Sequence, residues 1–280
     1  MNTKQCLSID LPLRRNLTPI YVLSFTISIL MAAASIAGIL YRSVIYPTDE
    51  LLQSFVPTDV TIICIGLPML LGSIWLTWRG KLIGLLLWPG ALFFVLYNYL
   101  AYVFAMPLNL AFLLHLALVG LSAYALIGLL ASIDGKAVQQ QLTGIVPERL
   151  AGGILTGLGF LFFLRAIGVL INALVSQTPI AETELAPNVS DFLTAPAWVL
   201  CGVLLWRRQE LGYVTGLGLL FQGSSLFIGL IIFLLIQPIL TTAAFSLVDI
   251  GVVFAMGLIC FVPFALYARG VASGRSASCK

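Results

Sequence analysis

Six polar or ionisable side chains within long apolar runs are the candidates for binding a ligand: Asn98, Tyr102, His115, Arg165, Asn172 and Asp249. Arg165 stands in LGFLFFLRAIGVL, in the middle of such a run. An arginine at the centre of a membrane helix costs roughly 2.5–3.5 kcal/mol on insertion scales. We therefore expect Arg165 to face the interior of a helix bundle and to meet an acceptor there.

Several acids could be the acceptor for Arg165. Asp249, in FSLVDIGVVF, is the one acid clearly inside an apolar run, and it is the preferred partner. Asp191 and Asp59, at the expected outer starts of two runs, are the alternatives, although each could simply cap its helix. Either an ion pair that fixes helix packing or an anion site would explain the arginine. Asn172, seven residues further on, falls on the same helical face.

His115 is the single histidine of the chain. One histidine cannot build a bis-histidine haem site or a multi-histidine metal site. It could relay protons or bind a ligand, or it could be a hydrogen-bonded residue of the interior.

Asn98 and Tyr102, in VLYNYLAYVF, share one helical face, where a buried amide requires a partner on another helix. An aromatic belt at the membrane interface would equally explain the tyrosines.

Several chemistries are excluded by what the sequence lacks. Every lysine lies outside the apolar runs, which rules out a retinal Schiff base. There is no C-x-x-C pair among the five cysteines, and no H-E-x-x-H, G-x-S-x-G or phosphate-loop motif occurs. We therefore predict no cofactor and no metal, and we lean away from an enzyme.

The composition shows which elements must position these side chains. Of 280 residues, 60% are hydrophobic and 9% are charged, and the mean hydropathy is +1.08. A soluble domain could not bury this much apolar surface, so the lipid bilayer must be the solvent. Runs of about 20 apolar residues are long enough to span it as helices. The predicted fold is all-α, with eight spans near 18–41, 59–78, 82–104, 108–131, 153–175, 192–206, 212–237 and 245–268.

The basic residues predict the orientation of these spans. With the N-terminus inside, twelve of the fourteen Lys and Arg residues fall in cytoplasmic segments and only Arg42 falls outside. This asymmetry is typical of membrane proteins with cytoplasmic basic loops. It predicts a multi-pass protein of the plasma membrane with both termini in the cytoplasm. The positive charge then needs no nucleic-acid partner.

The order of the loops repeats, which predicts an internal duplication. WRGKLIG at 78–84 aligns with WRRQELG at 206–212, a shift of 128 positions. At the same shift four further identities occur: Pro68 with Pro196, Leu76 with Leu204, Gly90 with Gly218 and Phe93 with Phe221. We predict a first four-helix half at 1–131, a cytoplasmic linker at 132–152 and a second half at 153–280. An even number of spans gives the halves the same orientation, and paired prolines could mark a binding site between them.

The stretch WRGKLIGLLLWPGALFFVLYNYLAYVFAMPLNLAFLLH at 78–115 resembles a group of uncharacterised prokaryotic polytopic membrane proteins, as does NVSDFLTAPAWVLCGVLLWRR at 188–208. The resemblance implies a prokaryotic source and no particular activity.

Three functions fit these observations. The first is binding or transport of a small polar or anionic ligand, because all six polar residues are expected in the outer half or at the midplane. The second is an accessory or structural subunit, with a membrane partner or a second copy of the chain. The third is an intramembrane enzyme acting on a lipid-phase substrate, with Asp249 or His115 as acid or base.

Overall fold

A computed structural model describes residues 11–177, 179–241 and 244–277, with side chains described up to residue 273. Within these residues eight helices are long and apolar enough to cross a membrane, and no strand is present beyond an isolated bridge between Leu13 and Ile133. The predicted all-α fold with eight spans is thereby confirmed. The helices are α1 Thr18–Leu40, α2 Asp49–Trp78, α3 Leu82–Ala105, α4 Leu110–Ser132, α5 Glu148–Ser176, α6 Glu182–Trp206, α7 Glu210–Leu240 and α8 Leu247–Ala277.

Two helices begin about ten residues earlier than the apolar runs predict. Helix α2 starts at Asp49 and α6 starts at Glu182, so the expected long loops at 42–58 and 176–191 are largely helical. Acidic residues in a first turn interact favourably with the free N–H groups there. For α2 the Thr48 hydroxyl also accepts a hydrogen bond of 3.3 Å from the Leu51 N–H. The polar residues at these positions therefore belong to the first turns of helices rather than to loops. Helix α6 is correspondingly longer than the predicted span 192–206.

A change of helical pitch interrupts α2 next to its proline. Ile62–Gly66 forms one π-helical turn, and Pro68 lies in the first turn of the α-helical segment that follows. A proline removes one backbone donor, and a π-turn shifts the hydrogen-bond register where that donor is missing. Pro196 lies inside α6. Both prolines are thus within spanning helices.

Helices α3 and α7 cross at the centre of the bundle. Gly90 of α3 meets Gly218 of α7 so closely that a Cβ on Gly90 would clash with the carbonyl oxygen of Gly218. Only residues without side chains permit this approach of two backbones. Helix α3 also contacts α2, α4 and α6, while α7 also contacts α2, α6 and α8. Each of these two central helices therefore touches elements of both sequence halves.

The turn after α2 recurs in the same geometry after α6. Gly80 and Arg208, 128 positions apart, both adopt the left-handed conformation, with φ of 69° and 58°. Arg208 does so although it carries a side chain, which is uncommon. Gly84 and Gly212 then lie against the last turn of the preceding helix, where a Cβ on either would meet a backbone nitrogen. Residues that are 128 positions apart thus make similar contacts in the two turns.

The chain before α1 and the segment after α4 meet at one end of the bundle. The Arg14 N–H donates to the Ser132 carbonyl at 2.8 Å, and the Arg14 guanidinium pairs with Asp134 at 3.1 Å. Asp134 also caps the short helix Gly135–Leu142, and the hydrogen bond from Arg14 lowers the pKa of the Asp134 carboxyl. We call this end, with the turns at 79–81 and 207–209, the basic end. The opposite end, where α2, α6 and α8 begin, is the acidic end.

Candidate functional site

A cavity of about 510 Å³ lies between the central helices, toward the acidic end. Helices α2, α3, α5, α6, α7 and α8 all contribute residues to its wall. Most of that wall is apolar and much of it is aromatic, including Phe55, Phe94, Phe162, Trp198, Phe227 and Phe233. A cavity of this size with a few polar groups is typical of a small-molecule site.

An ion pair forms one polar part of the cavity wall. The Arg165 Nη2 atom lies 2.8 Å from Asp191 Oδ2, and the Tyr97 hydroxyl donates to Asp191 Oδ1 at 2.9 Å. Both carboxylate oxygens of Asp191 are thus occupied, and its side chain is 10% exposed. The Arg165 side chain lines the cavity but is 52% exposed, so it is less enclosed by the bundle than the sequence predicted. A guanidinium carries five N–H donors, which leaves donors for a molecule in the cavity.

A second polar group is built around Gln222 of α7. The Trp198 indole N–H donates to Gln222 Oε1 at 2.9 Å. An indole nitrogen can only donate, so this contact fixes the orientation of the amide. Gln222 Nε2 is then left buried without a hydrogen-bond partner. A buried donor without a partner costs about 1–3 kcal/mol. Gln222 borders the cavity but is 0% exposed, so a ligand oxygen would reach its Nε2 only after a side-chain movement.

Three of the six sequence-predicted residues line the cavity: Arg165, Asn98 and Tyr102. Asn98 Nδ2 donates to the Phe94 carbonyl of its own helix at 2.8 Å, so its expected partner on another helix is not found. Asn98 and Tyr102 of α3 thus line the same cavity as Arg165 of α5, although they lie far apart in the sequence.

The other three predicted residues lie elsewhere. Asn172 is exposed on α5, and Asp249 is exposed in the first turn of α8. The preferred pairing of Arg165 with Asp249 is therefore wrong, and Asp191 is the partner. The reason is that α6, not α8, packs along the length of α5. Asp249 instead stands where its negative charge faces the free N–H groups of a helix start.

His115 is buried on α4 against two tyrosine rings of α3. Its ring centroid lies 4.6 Å from that of Tyr102 and 5.6 Å from that of Tyr99. The His115 Nδ1 atom is buried without a hydrogen-bond partner. No hydrogen bond joins His115 to an acid in the part of the chain described, and His115 is not among the residues that line the cavity.

Asp59 differs most from its predicted place. It was an alternative partner for Arg165 at the expected outer start of a span, where it could also simply cap the helix, but it lies inside α2 and is 2% exposed. The Tyr46 hydroxyl donates to its Oδ2, and the Tyr102 hydroxyl donates to its Oδ1 at 2.8 Å. Tyr102 therefore connects Asp59 with the cavity that the tyrosine lines.

Sequence reasoning missed Tyr97, Trp198 and the unpaired amide of Gln222 as parts of the site. The single signal available was the spacing of Tyr97 and Asn98 beside Tyr102 on α3. A tyrosine in an apolar run is explained as well by an interfacial belt, and nothing local shows that its hydroxyl meets a carboxylate on α6. Within the described residues, no group of three or more His, Cys, Asp or Glu could hold a metal ion.

Fold and site together define an α-helical membrane protein of eight spans with a cavity among its central helices. Comparison of the chain with protein-family models, curated proteins and solved structures gave no match. The resemblance of residues 78–115 to prokaryotic membrane proteins therefore stays a prediction, and the function has to be argued from the site.

Proposed function

We propose that this protein binds a small ligand that carries acceptor oxygens, as a carboxylate does, together with a compact apolar body. The observation that carries the proposal is the pair of donors in the cavity wall, the Arg165 guanidinium and the unpartnered Gln222 Nε2. Aromatic side chains on the remaining wall suit the apolar body. This corresponds to the polar or anionic ligand predicted from the sequence, with an apolar part added by the cavity.

We further propose that the chain is a duplication whose two halves enclose the cavity, and that it moves the ligand across the membrane. The repeated turns and the contact between Gly90 and Gly218 support the duplication, since equivalent residues meet where a two-fold axis would run. Sites between repeats are typical of transporters. The basic end is proposed to face the cytoplasm of a plasma membrane, because cytoplasmic loops carry an excess of Lys and Arg.

A brominated short-chain carboxylate tests the ligand site, because bromine quenches tryptophan fluorescence on contact and Trp198 lines the cavity. In lipid nanodiscs we expect saturable quenching by the carboxylate and weaker quenching by the matching brominated amide. Arg165→Gln should lower the affinity for the carboxylate about tenfold or more, since a charged hydrogen bond contributes about 1.5–3 kcal/mol. Trp198→Phe should remove the saturable part of the signal.

A double variant separates binding from folding. Arg165→Gln alone leaves Asp191 without its cation, which should destabilise the protein by about 1–3 kcal/mol. Arg165→Gln with Asp191→Asn replaces the ion pair by two neutral amides and should recover that stability without recovering carboxylate affinity. If the double variant binds the probe as the wild type does, the ion pair has a packing role only and the proposed site is wrong.

A further inference from the structure

Asp59 is a buried acid without a cation. Two salt bridges, Arg14–Asp134 and Arg165–Asp191, occur among the described residues, and Asp59 belongs to neither. Its carboxyl is held by two neutral phenol donors, Tyr46 and Tyr102. An unpaired buried charge is unfavourable by several kcal/mol even after relaxation, on the order found for single ions in proteins. A carboxylate in this position can avoid that cost by binding a proton.

Among the residues that the structure describes, the surroundings of Asp59 offer no other source of positive charge. Gly38 of α1 lies directly against the Asp59 carboxyl, which leaves no room on that side for an ion larger than a proton. On α7, which packs against α2, the one charged residue is Glu210 at the basic end. Arg165 on α5 is engaged by Asp191 on α6, and Arg42 borders a separate pocket with Asp49. The polar groups around Asp59 are the hydroxyls of Ser35, Tyr46, Tyr99 and Tyr102, and His115 packs against the Tyr102 ring.

Two opposing effects act on the proton affinity of such a group. Removal from water favours the protonated carboxyl, whereas hydrogen bonds from hydroxyl donors favour the carboxylate. Where both effects are strong, the two forms come close in free energy and small changes in the surroundings shift the balance. Intramembrane carboxyls in this situation are typical of proton pathways.

We propose that Asp59 is a proton-binding site coupled to the ligand cavity through Tyr102, an inference that rests on the proposed ligand site. A proton from water bonds to the Asp59 carboxylate. The new carboxyl O–H then donates to the Tyr102 oxygen, and the Tyr102 O–H gives up its bond to Asp59. Because Tyr102 lines the cavity, the ligand experiences both a changed hydrogen-bond donor and the loss of one nearby negative charge.

Infrared spectroscopy of the protein in nanodiscs tests the proton site without any ligand. A protonated carboxyl has its own carbonyl band, and we expect one that disappears with a midpoint between about pH 5 and 9. The band should be absent in Asp59→Asn and unchanged in Asp134→Asn, which alters an exposed carboxyl at the basic end. A carboxyl of Asp59 that stays ionised, or stays protonated, over the whole range overturns the proposal. So does a midpoint that moves with sodium concentration, because the site then binds a metal cation.

Tyr46→Phe keeps the proposal testable if Asp59→Asn fails to fold. It removes one donor to the carboxylate but no cavity residue, so the midpoint should move to higher pH by roughly one unit, as expected for loss of a hydrogen bond to the charged form. A role of Tyr46 in packing alone would leave the midpoint where it is, and that result counts against the site.

The coupling is tested with the brominated carboxylate. Loss of the Asp59 charge favours an anion in the cavity, so probe affinity should rise about tenfold as the pH falls through the midpoint, a typical coupling between two sites. By linkage, the probe should raise the infrared midpoint. Affinity that does not depend on pH overturns the coupling. A probe that does not bind at all contradicts the proposed ligand site, while the infrared titration still decides whether Asp59 binds a proton.

Discussion

The ligand proposed for the cavity depends on individual hydrogen-bonding groups in the cavity wall. Tyr97 and Arg165 each donate to one oxygen of Asp191, and the Asp191 side chain is 10% exposed, so little of that carboxylate is accessible to a ligand. The amide of Gln222 has the opposite character, because its oxygen is engaged by Trp198 while its nitrogen is not. The donors at Arg165 and Gln222 are the basis for proposing a ligand with exposed oxygens.

The Gln222 amide gives a prediction about a single side chain. Gln222→Met keeps a similar length but removes the free donor, so affinity for the carboxylate probe should fall about tenfold to a hundredfold, the range for a hydrogen bond to a charged group. Calorimetric titration in nanodiscs measures this without relying on Trp198.

Gln237→Met is the matched control, since Gln237 is on the same helix and does not line the cavity. It donates to the Gln53 carbonyl, so it too loses a hydrogen bond. Equal affinities for the probe in the two variants would contradict a role for Gln222 in binding.

Helix pairs hold these side chains in place, and α3 and α7 are one closely packed pair. At Gly90 and Gly218 the two backbones are in contact, so the depth and rotation of each helix are fixed relative to the other. Tyr97 and Asn98 follow two turns after Gly90, and Gln222 follows one turn after Gly218. The crossing thus sets where the polar groups of both helices enter the cavity.

The crossing predicts a strong effect of a single added methyl group. Gly90→Ala places a Cβ against the Gly218 backbone, and because backbone cannot move aside cheaply we expect a loss of about 1–3 kcal/mol in stability, the range for overpacking. Unfolding of the purified protein in mixed detergent, followed by circular dichroism, measures this.

Gly120→Ala is the control for the crossing, because no atom lies within 4 Å of the added Cβ. Alanine is a better helix former than glycine, so this variant should unfold at the same point as the wild type or slightly later. If Gly90→Ala is as stable as Gly120→Ala, the two central helices do not touch at their glycines.

The bundle as a whole places its charges at two ends. The turns at 79–81 and 207–209 and the segment around Asp134 share the basic end, while Asp49, Glu182 and Asp249 begin helices at the other. Eight spans return the chain to the side where it started. The described N-terminal segment and the end of α8 therefore lie on the same side of the membrane.

Site-directed labelling tests this topology. In a background without the native cysteines, Lys81→Cys at the basic end and Glu182→Cys at the acidic end should react with an impermeant maleimide from opposite sides. We expect Glu182→Cys to be labelled in intact cells and Lys81→Cys only after the membrane is opened, following the excess of basic residues in cytoplasmic loops. Labelling of both from one side would contradict the eight-span arrangement, and the reverse pattern would contradict the proposed orientation.

The eight spans and the all-α fold could be read from the sequence because they follow from local properties. A run of apolar residues long enough to cross a bilayer must form a helix, since every backbone donor and acceptor there has to be satisfied within the segment. The same reasoning predicted that Arg165 meets an acceptor. It misplaced the starts of α2 and α6, because the acidic residues that look like loop positions also stabilise the first turn of a helix.

The choice of acceptor depended on the tertiary structure. Asp249, Asp191 and Asp59 were alternatives in the sequence, and the rotation and neighbours of each helix decided among them. Packing of α6 along α5 brings Asp191 to Arg165, whereas the start of α8 leaves Asp249 exposed. Contacts between α2 and its neighbours bury Asp59 between two tyrosines. Hydropathy is summed along one helix, but these partners are set by the fit of side chains between helices, which no single segment contains.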